Sequence, residues 1–224
     1  MKIIIQAIIA VIAAYLLGSV NYAIIITRIV KGIDIRQIGN NNPGTSNVVR
    51  NVGKGWGVLV GFLDGLKGLV PVVIARILFF NGDTNLDFAL LYLIGMAAVV
   101  GHCKPVFYKF KGGGGIGTMQ GVSLFFVPVE FLVSMFIGGL VVIFFFKKAK
   151  FKYGQWTPIM FVTLTPFLTL GLNSFVNIPL FAHISIGGHL PAVLGGAFAM
   201  SFLILFFNIS FLGKRAEEYK EMSI

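Results

Sequence analysis

Ile116-Gly117-Thr118-Met119-Gln120-Gly121-Val122-Ser123-Leu124-Phe125-Phe126-Val127 is the stretch whose reading decides the fold. It is apolar enough for a membrane helix, yet short of the roughly 20 residues that carry a helix across about 30 Å of hydrocarbon. Six longer apolar segments surround it: residues 3–29, 56–80, 88–102, 129–146, 156–176 and 190–212. Counted as a span, with the glycine-rich stretch before it already at membrane depth, it makes seven crossings. The loops support that count. With seven spans, one side collects Lys31, Arg36, Arg50, Lys54, Lys104, Lys109, Lys111, Lys147, Lys148, Lys150, Lys152, Lys214, Arg215 and Lys220, which is 14 of the 18 basic residues. The other side holds Lys2, the loop with Asp83 and Asp87, a turn at residues 128–130 containing Glu130, and the uncharged segment 177–188. By the positive-inside rule the basic side is cytoplasmic, with the N-terminus external and the C-terminus and polar loops internal. With six spans, Lys147 to Lys152 would fall outside.

Composition agrees. Of the 224 residues, 57% are hydrophobic and 12% charged, whereas soluble domains run at about 45–50% and about 25%. The net charge of +10 does not suggest a nucleic-acid partner, because the basic residues lie in short segments between apolar runs and suit an anionic membrane face. A single cysteine, Cys103, excludes an intrachain disulfide and a zinc-type cluster. The N-terminal run exceeds a signal-peptide core and is retained as the first helix. The expectation is an all-α polytopic membrane helical bundle of about seven transmembrane helices, a single integral domain over residues 1–224, with no metal and no cofactor.

Two polar loops on the basic side stand out. The first reads Ile35-Arg36-Gln37-Ile38-Gly39-Asn40-Asn41-Asn42-Pro43-Gly44-Thr45-Ser46-Asn47-Val48-Val49-Arg50. Its Gly, Asn and Pro residues tolerate turn conformations in which successive N–H groups point into one anion-binding concavity. Thr45, Ser46 and Asn47 add donors, Arg50 offers a bidentate phosphate fork, and Asn47 also reads as an N-cap. The second runs from Gly101-His102-Cys103-Lys104 through Lys109-Phe110-Lys111 to Gly112-Gly113-Gly114-Gly115-Ile116. Glycines leading into a helix let a phosphate approach its N-terminus. No Walker A lysine and serine follow, and Lys104, Lys109 and Lys111 also read as a loop that binds lipid headgroups.

Other polar residues fall inside apolar segments. Asp64 and Lys67 share a helix face at i,i+3, and intramembrane ionisable residues are functional candidates. Ser19 and Asn21 lie late in the first segment, where packing against a neighbouring helix or a site contact both fit. His183 and His189 suit an external surface, and Trp56, Tyr92, Tyr153 and Trp156 read as interfacial belt residues.

Taken in order, these pieces resemble the bacterial acyl-phosphate:glycerol-3-phosphate acyltransferase family. The matching stretches are residues 15–20, 36–54, 63–68 and 101–113, about the first half of the chain. The resemblance implies a seven-span protein of a bacterial cell membrane. It would move a fatty acyl group from acyl phosphate to the 1-hydroxyl of glycerol 3-phosphate, giving lysophosphatidic acid and inorganic phosphate. Both substrates and membrane lipids are then the expected partners. With that reading, Arg50, Lys104 and His102 are the expected catalytic residues. Asn42, Gly44, Thr45, Ser46, Asn47, Lys111, Gly112 and Gly113 would bind substrate phosphate, with Ser19, Asp64 and Lys67 supporting. The chain departs from the family pattern at Asn40, usually serine, and at Gly114, usually lysine. It also departs in the segment after Tyr153 and in the tail at residues 208–219. Lys104 is the candidate replacement for the missing lysine. A non-catalytic relative that binds phospholipid precursors or a membrane partner is the alternative reading, and a small transporter, suggested by Asp64 and Lys67, is a weaker one.

Overall fold

The computed structural model describes residues 1–145, 153–175 and 189–222, with side chains placed at 1–144, 159–172 and 189–209. The basic loop with Lys147, Lys148, Lys150 and Lys152, and the segment 177–188 with His183, lie outside the described residues. So do the side chains of Tyr153, Trp156, Lys214, Arg215 and Lys220.

Apolar composition dictates helices, since only a helix satisfies its own backbone polar groups in hydrocarbon. The helices are α1 (Lys2–Gly18), α2 (Tyr22–Lys31), α3 (Thr45–Asn51), α4 (Lys54–Leu78), α5 (Asn85–Cys103), α6 (Ile116–Phe126), α7 (Pro128–Phe145), α8 (Tyr153–Phe175) and α9 (Leu190–Met222). Two 3₁₀ turns, Ile35–Gln37 and Val106–Tyr108, shape the polar loops. Lys2–Lys31, Lys54–Leu78, Asn85–Tyr108 and Leu190–Ile209 are long and apolar enough to cross a membrane, while Ile116–Phe126, Pro128–Phe144 and Ile159–Leu172 are shorter apolar helices. The fold is therefore an all-α integral membrane bundle, in which the long and short apolar helices together account for the expected segments.

Three expectations need correction. The first apolar segment is broken: Ser19 closes α1 by donating from its hydroxyl to the Tyr15 carbonyl at 2.8 Å. Asn21, in extended conformation, caps α2 by accepting from the Ile24 N–H at 3.1 Å. Hydropathy is blind to such capping. Second, the turn expected at residues 128–130 is helical: α6 has 11 residues, about 17 Å. Val127 (φ −141°, ψ 57°) interrupts the helix, and α7 starts at Pro128, where a missing N–H costs nothing. Residues 128–130 are thus the first turn of α7 and not an exposed turn, with Glu130 buried. Third, Tyr92 is buried and stacked on Phe126 at a ring separation of 3.7 Å, so it is a core residue rather than a belt anchor. Trp56 is exposed, as a belt residue should be.

Close helix approach depends on small residues, as expected where lipid is as apolar as the interface itself. A Cβ at Gly121 of α6 would overlap the Gly65 carbonyl of α4, and one at Gly68 of α4 would overlap the Thr118 carbonyl of α6. The same holds between α1 and α5, where Gly18 faces Ala98 and Gly101 faces the Tyr15 carbonyl. Around these contacts lies a core that includes Val72, Leu91, Ile94, Met119, Val122 and Phe126. Hydroxyls join the later helices: Thr165 donates to Ser134 at 3.1 Å, and Ser201 donates to the Val162 carbonyl at 2.7 Å.

Gly121→Ala is expected to destabilise the protein by about 2–3 kcal/mol through overpacking, read as a lowered Tm in detergent. Gly171→Ala, where a Cβ meets nothing within 4 Å, serves as its control and should leave the Tm unchanged or slightly raised.

Candidate active site

The α1–α2 break is where the site is assembled, because each of its three residues binds a different element. The Ser19 hydroxyl accepts from the Val106 N–H in the second polar loop at 3.4 Å. The Val20 carbonyl accepts from the Lys67 ammonium of α4 at 2.8 Å. The Asn21 amide donates to the Pro43 carbonyl in the first polar loop at 3.4 Å. A helix continuing through these residues would have used the Val20 carbonyl internally.

Lys67 is enclosed at this point. Its ammonium pairs with Asp64 Oδ1 at 3.0 Å and lies 5.6 Å from the centre of the Tyr22 ring. His102, at the end of α5, brings Nδ1 to 3.6 Å from the same Asp64 oxygen, beyond direct hydrogen-bond reach. All three side chains are buried, so the i,i+3 spacing of Asp64 and Lys67 does produce a neutralised pair, with the imidazole beside it.

The glycine loop rests on this cluster. The Gly113 N–H donates to the His102 carbonyl at 3.2 Å. A side chain at Gly112 would strike that carbonyl, and one at Gly113 would strike the His102 Nε2 edge and come within 2.9 Å of the Pro43 carbonyl. Gly113 therefore brings the two polar loops together, with Pro43 on one side and His102 on the other. Gly115, with φ of 75°, turns the chain into α6. Tyr15 fastens the loop from below, its hydroxyl donating to the Lys104 carbonyl at 2.8 Å.

The structure divides the remaining candidates. Asn47, expected to hold phosphate or to cap a helix, is not the cap, and its side chain is engaged within the loop: its amide donates to the Ile35 and Ile38 carbonyls at 3.1 and 3.0 Å, and its oxygen accepts from Asn51 at 2.7 Å. Its hydrogen bonds fix the loop, and Gly44 is the N-cap. Ser46 and Arg50 are exposed at i,i+4 on α3, on one face. Asn42, Gly44 and Thr45 are half-buried beside them. Lys104 is exposed at the C-cap of α5. Lys111 lines a separate cavity with Arg28 and Arg36. At the base of the first loop Asp34 accepts from both Arg36 and Arg28. Hydrogen bonding to Arg36, above all, holds its carboxyl well below the usual carboxylate range, and the same contact raises the Arg36 guanidinium.

One residue of this site escapes a reading of the sequence. Asn208 of α9, buried, donates to the Gly114 carbonyl at 2.8 Å and to the Ile204 carbonyl at 2.8 Å. Its side-chain oxygen sits where a Cβ at Gly114 would project, so a carboxamide occupies the place next to Gly114, where the resemblance led a lysine to be expected. An asparagine ending the apolar run 190–207 was the available signal.

Comparison with known proteins agrees with this geometry. The family model described as glycerol-3-phosphate acyltransferase matches residues 8–212. A glycerol-3-phosphate acyltransferase of Aquifex aeolicus is 43% identical over 132 residues, 59% of this chain and 66% of that protein. One from Legionella pneumophila (strain Corby) is 37% identical over 174 residues, 76% of this chain and 58% of its own length. The matched stretches thus span about half to two thirds of the length of these curated relatives. Two crystal structures of PlsY (YgiH), an integral membrane glycerol 3-phosphate acyltransferase, are similar over 95% of this chain and 93% of theirs. The glycerol 3-phosphate form is 31% identical with a TM-score of 0.67, and the lysophosphatidic acid form 30% with 0.68. With the order of the polar loops, their meeting at Gly113 and this likeness all in accord, the chain belongs to the glycerol-3-phosphate acyltransferase family.

Proposed function

We propose that this chain transfers a fatty acyl group from acyl phosphate to the 1-hydroxyl of glycerol 3-phosphate, releasing lysophosphatidic acid and inorganic phosphate. The observation that carries the reading is the convergence of two phosphate-suited loops on a buried Asp64–Lys67–His102 cluster at one end of a lipid-facing groove. Two adjoining apolar cavities of about 360 and 380 Å³ share Val11, Ile12 and Leu93 between α1 and α5. They run from Ile3 to Tyr15, about 18 Å along α1, and end beneath Lys104. An acyl chain laid there brings its carboxyl carbon to the loops.

In the reaction the glycerol hydroxyl oxygen bonds to the acyl carbonyl carbon, the bond from that carbon to the phosphate oxygen breaks, and the hydroxyl proton leaves on the phosphate. No covalent enzyme intermediate is needed, so the protein acts through positioning and charge stabilisation. Arg50 and Ser46, with Asn42, Gly44 and Thr45, hold the phosphate of glycerol 3-phosphate. Lys104 and the Gly112 backbone face the donor phosphate, while Gly113, whose N–H is taken by the His102 carbonyl, holds the loop in place. His102, Asp64, Lys67 and Ser19 are positioning residues that fix the glycine loop. In this reading the loops face the cytoplasm of a bacterial cell and the N-terminus is external, which the distribution of basic residues supports.

Three experiments on purified protein test this. Arg50→Ala should lower kcat/KM about 10- to 100-fold, chiefly through KM for glycerol 3-phosphate. Unchanged kinetics remove Arg50 from the site, and acyl phosphate binding without phosphate release from it in the presence of any polyol phosphate acceptor marks a non-catalytic relative instead. Gly114→Lys combined with Asn208→Ser should raise kcat/KM at least about tenfold by restoring a charge-assisted contact, while Gly114→Lys alone gains less because Asn208 must first move. Ala97→Phe, which narrows the upper cavity, should abolish turnover of long-chain acyl phosphates and spare short-chain ones; equal loss for both would dismiss the groove as the acyl path.

A further inference from the structure

A second phosphate environment lies apart from the glycine loop. A cavity of about 500 Å³ is lined by Arg28, Arg36, Phe107, Tyr108, Lys109 and Lys111. Four cations face it, and Asp34 is the carboxylate that pairs with two of them, Arg28 at 2.8 Å and Arg36 at 2.7 Å. The local balance is therefore three positive charges in excess. Arg36 serves as its floor: Nη1 donates to the Tyr108 and Lys111 carbonyls at 3.5 and 3.4 Å, and the guanidinium lies 5.9 Å from the centre of the Tyr108 ring. Lys109 and Phe110 both have left-handed backbone, with φ of 54° and 58°. Two consecutive non-glycine residues in that region are costly and cluster at ligand clamps.

Position identifies the ligand. Arg28 stands near the end of the span Lys2–Lys31, and Phe107 and Tyr108 end the span Asn85–Tyr108. The Arg36 contacts place both ends on the same face of the bundle, so the cavity opens at the boundary of the hydrocarbon. Val106, Phe107 and Phe110 are exposed around it, as apolar residues at a lipid interface are. A free solute would gain nothing from that apolar border.

We propose that this cavity binds the phosphate headgroup of an anionic phospholipid, held by Arg28, Arg36, Lys109 and Lys111 with its acyl chains beside Phe107 and Phe110. The site is separate from the acyltransfer reading, since none of the residues given a substrate contact there (Arg50, Ser46, Asn42, Gly44, Thr45, Lys104 and Gly112) lines this cavity; Lys109 shares the second polar loop but not that set.

Native mass spectrometry of the intact chain titrated with dioleoyl phosphatidic acid, with phosphatidylcholine as reference, measures it. Arg28→Gln/Lys109→Gln should weaken retention of phosphatidic acid about 25-fold, roughly fivefold for each lost charge, and leave phosphatidylcholine unaffected. Lys109→Arg should retain the lipid, which separates loss of charge from loss of fold. Lys54→Gln, removing an exposed cation outside the cavity, should change retention less than twofold. Equal losses for Lys54→Gln and the double variant, or none for the latter, overturn the site. Displacement of the lipid by an equal concentration of inorganic phosphate overturns the assignment to lipid.

Discussion

A lysine ammonium placed among membrane helices must be satisfied, and the arrangement that satisfies Lys67 organises everything near it. Burial of an isolated charge is prohibitive, so Asp64 supplies the counter-charge from one turn away and the Tyr22 ring offers its face. The remaining donor needs a free backbone carbonyl, and a regular helix would have none to give at Val20. Interrupting the first span at Ser19–Asn21 releases it. The same interruption frees Ser19 and Asn21 to bind one polar loop each. Replacing such a pair by apolar residues can be neutral, whereas removing one partner costs about 3–5 kcal/mol, so Lys67 and Asp64 stand or fall together.

From this follows the way the two loops meet. His102 lies against Asp64, the Gly113 N–H hangs from the His102 carbonyl, and Pro43 is held by Asn21 against Gly113. The glycines are required by contact: carbonyls and an imidazole edge fill the space that their side chains would take. The two polar loops are thus positioned by buried groups, while the proposed phosphate donors Ser46, Arg50 and Lys104 stay exposed.

Much of this was legible before any coordinates. Apolar runs gave the helices, the i,i+3 spacing of Asp64 and Lys67 gave their pairing, and the Gly/Asn-rich segments marked the two loops that meet. What stayed hidden depended on tertiary partners. Ser19-Val20-Asn21 is too short and too mixed to dent a hydropathy profile, and its break is written in hydrogen bonds to residues far along the chain. Asn47 has the composition of a phosphate ligand, but the Ile35 and Ile38 carbonyls claim its amide. Glu130 looked like a loop residue because charge usually marks water, yet Pro128 starts a helix immediately after α6 and buries it. Asn208 is separated from Gly114 by more than a third of the chain, so its contact has no local signature.

The replacement at Gly114 changes the electrostatics of the site more than its shape. Lys67 is neutralised by Asp64 and contributes little net field, and the Asn208 carboxamide is a dipole directed at the Gly114 carbonyl. Positive potential at the glycine loop then rests on the N-terminus of α6 and on exposed cations such as Arg50, Lys104 and Lys111. Those side chains are exposed, and exposed charges are screened over about 8–10 Å at physiological salt. A lysine within the loop would act on a bound phosphate at contact distance and largely free of that screening. In the proposed site, attraction of anions comes instead from the rim and weakens with ionic strength, and their final orientation falls to backbone groups that Lys67, His102 and Asn208 hold in place.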